Sequence, residues 1–335
     1  MEPRHEFGKE AAENEKKLKE KNKRMKKSII KIAILLTAIT AVLFFWSDIK
    51  DAVASSTPDK IKKEKSTKSK NKDKSQADEQ APASPGVTII KKWDLPEILK
   101  EVSGIAYIDG NRFACVQDEL GTIFIYNTQT ASIEKEIPFA AAGDYEGLTV
   151  VNENAWVVRA DGVLFEVSDF AAPKPAVKEY RTHLTVKQNV EGLCYDKKNN
   201  RLLLAIKDAE PGNADYKGIY SFDLAARKMP SEPAFKIPLA HELFANAGSG
   251  KKGGQIMPSS IAVHPVSNDM YITDGRKSRL LVINSSGAVK KLLQLDNSEF
   301  AQPEGITFKP TGELFVSNEG TKNPGNILNV EISSD

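Results

Sequence analysis

A short phrase that recurs five times between residues 103 and 308 constrains the fold more than any other feature of the sequence. The copies are Ser103-Gly104-Ile105-Ala106-Tyr107, Glu146-Gly147-Leu148-Thr149-Val150, Glu191-Gly192-Leu193-Cys194-Tyr195, Ser259-Ser260-Ile261-Ala262-Val263 and Glu304-Gly305-Ile306-Thr307-Phe308. A strand-like segment ending in acidic or amide residues follows each copy. The phrases recur at intervals of about 45 residues. Repeats of that length built from short strands are typical of a β-propeller, whose blades bury their faces against neighbouring blades. The sequence therefore predicts an all-β, five-bladed β-propeller.

The spacing of the phrases sets the number of blades. Successive phrases are 43, 45, 68 and 45 residues apart, and each repeat divides into short strands separated by turn residues. The last repeat lacks an outer strand, and residues 87–96 (VTIIKKWDLP) resemble the other outer strands, so we expect the N-terminal strand to close the ring. We assign the long third interval to insertions at 209–217 and 241–257. A six-bladed propeller is the alternative if the second insertion hides a degenerate blade.

The composition changes sharply before the repeats. Residues 1–80 carry a net charge of +7, which leaves 81–335 at −5. Nucleic-acid binding relies on basic surfaces, so an acidic repeat domain argues against a nucleic-acid partner. We divide the chain into a basic cytoplasmic tail (1–28), a transmembrane signal anchor (29–46), a disordered linker rich in Lys, Ser and Pro (47–86) and the β-propeller domain (87–335).

The predicted anchor is the segment 29–46, IIKIAILLTAITAVLFFW. It is near the lower limit of length for one membrane crossing, and a cluster of lysines and one arginine precedes it. The positive-inside rule places the N-terminus in the cytoplasm, so the propeller is exported. Ala52-Val53-Ala54 matches a signal-peptidase site, which leaves cleavage after Ala54 open.

The repeated carboxylates form the candidate site. The phrases place Glu146, Glu191 and Glu304 at equivalent positions around one ring, with Ser103 and Ser259 in the other two copies. The next strand of four blades ends with a further predicted metal ligand; these are Asp118, Asp208, Asp274 and Glu319. Carboxylates gathered in one place raise each other's pKa unless a cation compensates. Oxygen ligands favour Ca²⁺, so we expect calcium in the axial tunnel; the alternative is that each Glu-Gly or Ser-Gly pair is structural, bonding turn amides and allowing close packing.

The sequence leaves open whether the protein is an enzyme. It contains no Gly-x-Ser-x-Gly elbow, and its histidines lack paired metal-ligand spacing. Cys115 and Cys194 lie in apolar strand phrases of non-adjacent repeats, so we expect two buried free thiols. Catalytic residues are therefore unknown at this stage.

Longer segments resemble a known family. The domain opens with WDLPEILKEVSGIAYIDGNRFACVQDELGTIFIYN, continues with DYEGLTVVNENAWVVRADGVLFEV and VEGLCYDKKNNRLLLAIKD, and ends with PSSIAVHPVSNDMYITDG and QPEGITFKPTGELFVSNEG. Together with the preceding apolar segment, these resemble the SdiA-regulated (YjiK-like) family over residues 93–330.

The resemblance implies a bacterial, membrane-associated propeller with a suspected metal site in the tunnel. We expect a single-pass protein of the bacterial plasma membrane, with the propeller in the periplasm or at the cell surface, that binds a small molecule or an envelope protein. The repeats are more distantly similar to gluconolactonase-like and phytase-like propellers, which implies the alternative of a Ca²⁺-dependent hydrolase of lactones or phosphoesters. Serine at positions 103 and 259 departs from that pattern, as does the lack of the Lys and Arg cluster that a phytate site would need.

Overall fold

Five four-stranded antiparallel sheets make up the domain. The structure, a computed structural model, describes residues 86–208, 210, 212–213, 215–245 and 255–333. Within these ranges each sheet is one blade, and no sixth sheet is present, so the prediction of five blades is confirmed. The predicted tail and anchor, and nearly all of the predicted linker, lie outside the described residues.

The first three blades each consist of four consecutive strands. Blade 1 contains β2 (Val102–Asp109), β3 (Arg112–Gln117), β4 (Thr122–Asn127) and β5 (Ser132–Pro138). Blade 2 contains β6 (Tyr145–Val151), β7 (Asn154–Arg159), β8 (Leu164–Ser168) and β9 (Ala176–Tyr180). Blade 3 contains β10 (Val190–Asp196), β11 (Arg201–Ile206), β12 (Tyr216–Asp223) and β13 (Phe235–Pro238).

The last two blades follow a short helix, α1 (Glu242–Ala245), and blade 5 joins strands from both ends of the domain. Blade 4 contains β14 (Ser260–Val263), β15 (Met270–Asp274), β16 (Arg279–Ile283) and β17 (Val289–Gln294). Blade 5 contains β18 (Pro303–Phe308), β19 (Leu314–Asn318), β20 (Asn326–Ile332) and, as its outer strand, β1 (Val87–Asp94). Val87 pairs with Ile332 and Asp94 with Asn326 in antiparallel register.

The core is divided into five apolar clusters, and each cluster lies between two consecutive blades. Strand β3 illustrates the cause: Phe113 and Cys115 pack toward blade 5, whereas Ala114 and Val116 pack toward blade 2. Successive side chains of a strand point to opposite faces, so a strand buried on both sides is a continuous apolar run. Burial of one large side chain of this kind contributes about 1.5–3 kcal/mol. The fifth cluster joins blade 5 to blade 1 and closes the ring.

The inner strand of each blade is the one that begins with the repeated phrase. These five strands, β2, β6, β10, β14 and β18, pack side by side around the axis, each against the next. Tight turns return the chain to the second strand, as at Asn152, which has a left-handed φ of 55°. All five phrases therefore begin at one end of the axis, and all five inner strands finish at the other.

The two cysteines are buried and free, as predicted. Burial raises the pKa of both thiols well above its usual range. They belong to blades 1 and 3 and therefore have no geometric route to a disulfide.

Candidate functional site: an acidic mouth

The glycines of the phrases let the inner strands approach closely where they begin. A Cβ atom added at Gly147 would lie 2.8 Å from the carbonyl oxygen of Glu191, and one added at Gly104 would lie 3.1 Å from the backbone nitrogen of Leu148. Neighbouring phrases are thus level with each other around the ring. The first residues of distant repeats are brought together as a result. These distances support the interpretation that the glycines allow the inner strands to pack closely.

The two serine copies of the phrase connect neighbouring blades. Ser103 donates a hydrogen bond to the carbonyl oxygen of Tyr145 in blade 2, at 2.6 Å. Ser259 donates to the carbonyl oxygen of Pro303 in blade 5, at 2.5 Å, and accepts from the backbone N–H of Gly275 at 3.0 Å. These side chains have structural partners, so the ring carries carboxylates only in its other three copies.

The three glutamates of the phrases lie at this end of the axis, which we call the acidic mouth and define by Glu146, Glu191, Glu304 and Lys207. Glu191 is only 2% exposed, whereas Glu146 and Glu304 are half-buried. The Oε1 atom of Glu191 accepts from Lys207 Nζ and from Asn189 Nδ2, each at 2.8 Å. Its Oε2 atom is buried and has no hydrogen-bond partner among the described residues.

The pKa values of the three glutamates are all raised above the ordinary value. Burial, then repulsion by Glu191 and Asp144, raises the pKa of Glu146 to about 9. Burial and repulsion by Glu191 raise the pKa of Glu304 to about 8. Burial raises the pKa of Glu191 to about 7, although the ammonium group of Lys207 opposes the shift. One lysine thus compensates too little charge for three carboxylates to be ionised together at neutral pH.

The negative charges of the three glutamates also shift the pKa of Lys207. Burial alone would lower its pKa, but the attraction of Glu191, and of Glu304 and Glu146 beyond it, raises the pKa above its ordinary value. Lys207 follows β11 directly, and its backbone N–H donates to the carbonyl oxygen of Asn189 beside the phrase. Lys207 and Asn189 were not among the predicted site residues. The sequence signal that could have indicated them is their position next to the phrase, across the β10–β11 hairpin.

Two of the other predicted ligands form an acidic pair beside the mouth. Burial and repulsion by Glu101 raise the pKa of Asp118, and burial and repulsion by Asp118 raise that of Glu319. The Oδ1 atom of Asp118 is buried and, within the described part of the chain, lacks a hydrogen-bond partner. Blades 1 and 5 therefore add negative charge to the rim of the acidic mouth.

The remaining two predicted ligands differ in their surroundings. Asp208 is exposed, and its charge raises the pKa of Glu191. Asp274 is fully buried and forms an ion pair with the buried Arg279, whose Nε lies 3.2 Å from Oδ2. Asp274 also accepts from the backbone N–H groups of Met257 and Lys277. These bonds fix the carboxylate of Asp274 within blade 4. The charge of Asp274 nevertheless contributes to the raised pKa of Glu304.

The backbone of blade 4 limits the position of Glu304. A Cβ atom added at Gly275 would lie 2.3 Å from Glu304 Oε1, so the carboxylate lies against the space that this glycine leaves free. A side chain at position 275 would displace the carboxylate. Gly275 therefore helps to position Glu304.

The carboxylate oxygens of the acidic mouth are suitable ligands for a hard cation such as Ca²⁺. Carboxylate oxygens are the ligands that Ca²⁺ prefers, and one of them, Glu191 Oε2, is a buried acceptor with no partner in the described part of the chain. In the described ranges, no three His, Cys, Asp or Glu side chains are grouped closely enough to hold a metal ion as they stand. Binding would therefore require side-chain movement, chiefly of Lys207 away from Glu191.

No helix among the described residues is long and apolar enough to cross a membrane. The predicted anchor at 29–46 is outside those residues, and it stays a prediction.

The fold and the ring of phrases define the protein as a five-bladed β-propeller with a carboxylate-lined axial mouth. The sequence profile described as SdiA-regulated matches residues 84–322. The chain therefore belongs to the SdiA-regulated family, as the resemblance indicated. A comparison with curated proteins gave no match.

Solved structures with a similar fold have low sequence identity to the chain. Glutaminyl cyclase from Myxococcus xanthus is 16% identical, with a TM-score of 0.54, over 74% of this chain and 97% of that chain. Aldose sugar dehydrogenase from Streptomyces coelicolor, in its PQQ-bound form, is 14% identical, with a TM-score of 0.46, over 75% of this chain and 100% of that chain. The first similarity supports the fold alone, and the second supports no further argument.

Proposed function

We propose that the propeller is a binding module that recognises a small molecule or an envelope protein over its acidic mouth with the help of a bound Ca²⁺ ion. One observation carries this proposal: Glu191 Oε2 is buried without a hydrogen-bond partner among the described residues, beside Glu146 and Glu304, whose pKa values are raised above neutrality. Such an arrangement is costly unless protons or a cation compensate the charge.

Glu146, Glu191 and Glu304 would hold the ion, with Asp118, Asp208, Asp274 and Glu319 adding negative potential around it. The ion would supply the positive charge that Lys207 alone does not provide. Glu146 and Glu304 would release their protons when it binds, because their raised pKa values return toward the ordinary range once the repulsion is compensated. Binding is then stronger at higher pH.

Calorimetry of Ca²⁺ binding to the full-length protein tests the proposal. We expect a single site in the wild type and loss of detectable binding in the double variant Glu146→Gln with Glu304→Gln. Glu153→Gln removes an exposed carboxylate elsewhere in blade 2 and serves as the control. Absent binding in the wild type, or unchanged binding in the double variant, would refute the calcium site.

We also propose that the segment 29–46 anchors the chain in the bacterial plasma membrane with the propeller on the outer side. Its support is the apolar run and the basic residues that precede it. Protease added to intact spheroplasts should digest the linker and release the propeller. Protection of the propeller until the membrane is lysed would contradict this orientation.

A second candidate function is a Ca²⁺-dependent hydrolase of lactones or phosphoesters. The observation that favours it is the pair of carboxyl groups beside the mouth, Asp118 and Glu319, whose pKa values burial raises, because a carboxylate that does not hold the ion is available as a general base toward water. A panel of lactone and phosphoester substrates, with and without chelator, separates the two functions. Chelator-sensitive turnover that is lost in Glu146→Gln would favour the enzyme.

A further inference from the structure

A second cavity lies at the opposite end of the axis, where the inner strands finish. Its volume is about 660 Å³, within the range of small-molecule sites. All five blades contribute to its wall through the last residues of β2, β6, β10, β14 and β18 and the turns that follow them. The cavity is therefore a product of the closed ring, as the acidic mouth is.

The floor of this cavity is apolar. Ile105, Leu148, Leu193 and Ile306 line it, and each is at most 3% exposed because its other side packs between blades. Each of these side chains directly follows the glycine of its phrase, so the same repeat that gathers carboxylates at one end supplies a hydrophobic floor at the other. An apolar body resting here would be removed from water.

The wall is rich in rings. Tyr107, Tyr195, His264 and Phe308 all line the cavity and are partly exposed. Phe308 packs edge-on against His264 with ring centroids 4.9 Å apart, which fixes both rings. Burial lowers the pKa of His264, and its Nδ1 accepts backbone N–H groups, so it is a neutral ring at neutral pH. Rings held in this way favour contact with a planar aromatic ligand.

The charge at the rim is positive. Lys197 and Lys198 are exposed at the end of blade 3, and Lys309 lies at the end of blade 5. Among the described residues that line the cavity, none is acidic. Lys309 forms a 3.4 Å ion pair with Glu313, which leaves Lys197 and Lys198 as the main source of attraction for an anion. We call this end the basic mouth and define it by these three lysines.

We propose that the basic mouth is a second ligand site, which takes an organic anion with an aromatic body, such as an aromatic carboxylate. The aromatic body lies on the apolar floor between the rings, and the carboxylate group faces the lysines at the rim. This site is separate from the acidic mouth and does not depend on calcium binding there. Its geometry excludes most of the ligand from water while the charged end remains near the surface.

Calorimetric titration of the full-length protein with naphthalene carboxylate tests the proposal. We expect saturable binding at one site, and an isosteric naphthylmethyl ammonium ion should bind at least about tenfold more weakly. The double variant Lys197→Gln with Lys198→Gln should weaken binding of the carboxylate by roughly three- to tenfold. Both lysines are exposed, so folding should be unaffected.

The matched control is Lys174→Gln with Lys178→Gln, which removes the same charge from exposed positions of blade 2. It should leave binding unchanged. Equal binding of the carboxylate and the ammonium ion would overturn the proposal, as would an unaffected Lys197 and Lys198 variant. Loss of binding in Glu146→Gln with Glu304→Gln would also overturn it, because the ligand would then occupy the acidic mouth.

Discussion

The two ends of the propeller axis are formed by the same five strands, yet they differ in packing and in charge. At the acidic mouth the phrases pack backbone against backbone, and three glutamates face one lysine. At the basic mouth the strands finish around a cavity with a floor of aliphatic side chains and a rim of lysines. The repeat explains both ends, because residues at equal positions in each phrase reach equal heights along the axis. The three glutamates are concentrated at the end of the axis where the inner strands approach each other most closely.

The largest effect should come from a change in packing at the acidic mouth. Gly147→Val should lower the free energy of unfolding by about 3 kcal/mol, because its Cβ would lie 2.8 Å from a backbone oxygen and the inner strands would have to separate. Val150→Ile adds bulk to the same strand at the cavity and should change stability by less than about 0.5 kcal/mol. Denaturant unfolding measures both. Equal losses of unfolding free energy in the two variants would contradict the difference in packing between the two ends of the axis.

The second prediction concerns pH. The folded-state pKa values of Glu191, Glu304 and Glu146, about 7, 8 and 9, lie above the ordinary value of 4.5. The folded protein therefore binds more protons than the unfolded chain between these limits, and without calcium the free energy of unfolding should fall as pH rises through that window. Glu146→Gln should reduce the slope by about 1 kcal/mol per pH unit in the upper part of the window.

Denaturant unfolding at a series of pH values, with chelator present, measures this slope. Saturating Ca²⁺ should flatten it, because a bound cation stabilises the ionised carboxylates. A wild-type slope identical to that of Glu146→Gln would show that the glutamate is solvated.

The third prediction tests the geometry of the acidic mouth without changing its charge. Gly275→Ala would occupy the space beside Glu304 Oε1 and displace the carboxylate, which is the flexible end of a side chain. We expect the protein to remain folded and its affinity for Ca²⁺ to fall by about tenfold. Binding of the aromatic carboxylate at the basic mouth should not change. A loss of affinity for both Ca²⁺ and the aromatic carboxylate would indicate a general disturbance of blade 4.

The smallest effect concerns the thiols. Cys194 lines the basic mouth and is 6% exposed, whereas Cys115 is fully buried. Both should react slowly with iodoacetamide, with Cys194 the faster, and naphthalene carboxylate at twice its Kd should slow Cys194 by about threefold. Mass spectrometry of the alkylated peptides gives both rates. Protection of Cys194 by Ca²⁺ instead would contradict the separation of the two sites.

The fold was predictable because a propeller repeats one local pattern. The phrase, its spacing and the apolar runs of strands buried on both faces indicated five blades, and the described residues form five. The first predicted insertion, 209–217, extends two residues too far, because Tyr216 and Lys217 belong to β12 and pair with β13. The second, 241–257, contains no strand among its described residues. The anchor at 29–46 lies beyond them and depends on the sequence alone.

The candidate site was predictable only in part. Equal position in the repeat indicated that Glu146, Glu191 and Glu304 would be close, and their mutual repulsion supports this. The direction of a long side chain, such as Lys207 toward Glu191, depends on packing between strands that the repeat pattern does not specify. Asp274 was predicted as a metal ligand, and in the structure its carboxylate forms an ion pair with its cross-strand neighbour Arg279. The basic mouth was missed because its lysines lie in turns outside the phrase.

The calcium site at the acidic mouth is best tested by a crystal structure of the full-length protein grown with saturating Ca²⁺. We expect an ion about 2.3–2.6 Å from Glu191 Oε2, with oxygen ligands from Glu146 and Glu304, and Lys207 turned away from Glu191. A mouth that contains no ion, with Lys207 Nζ still 2.8 Å from Glu191 Oε1, would contradict it.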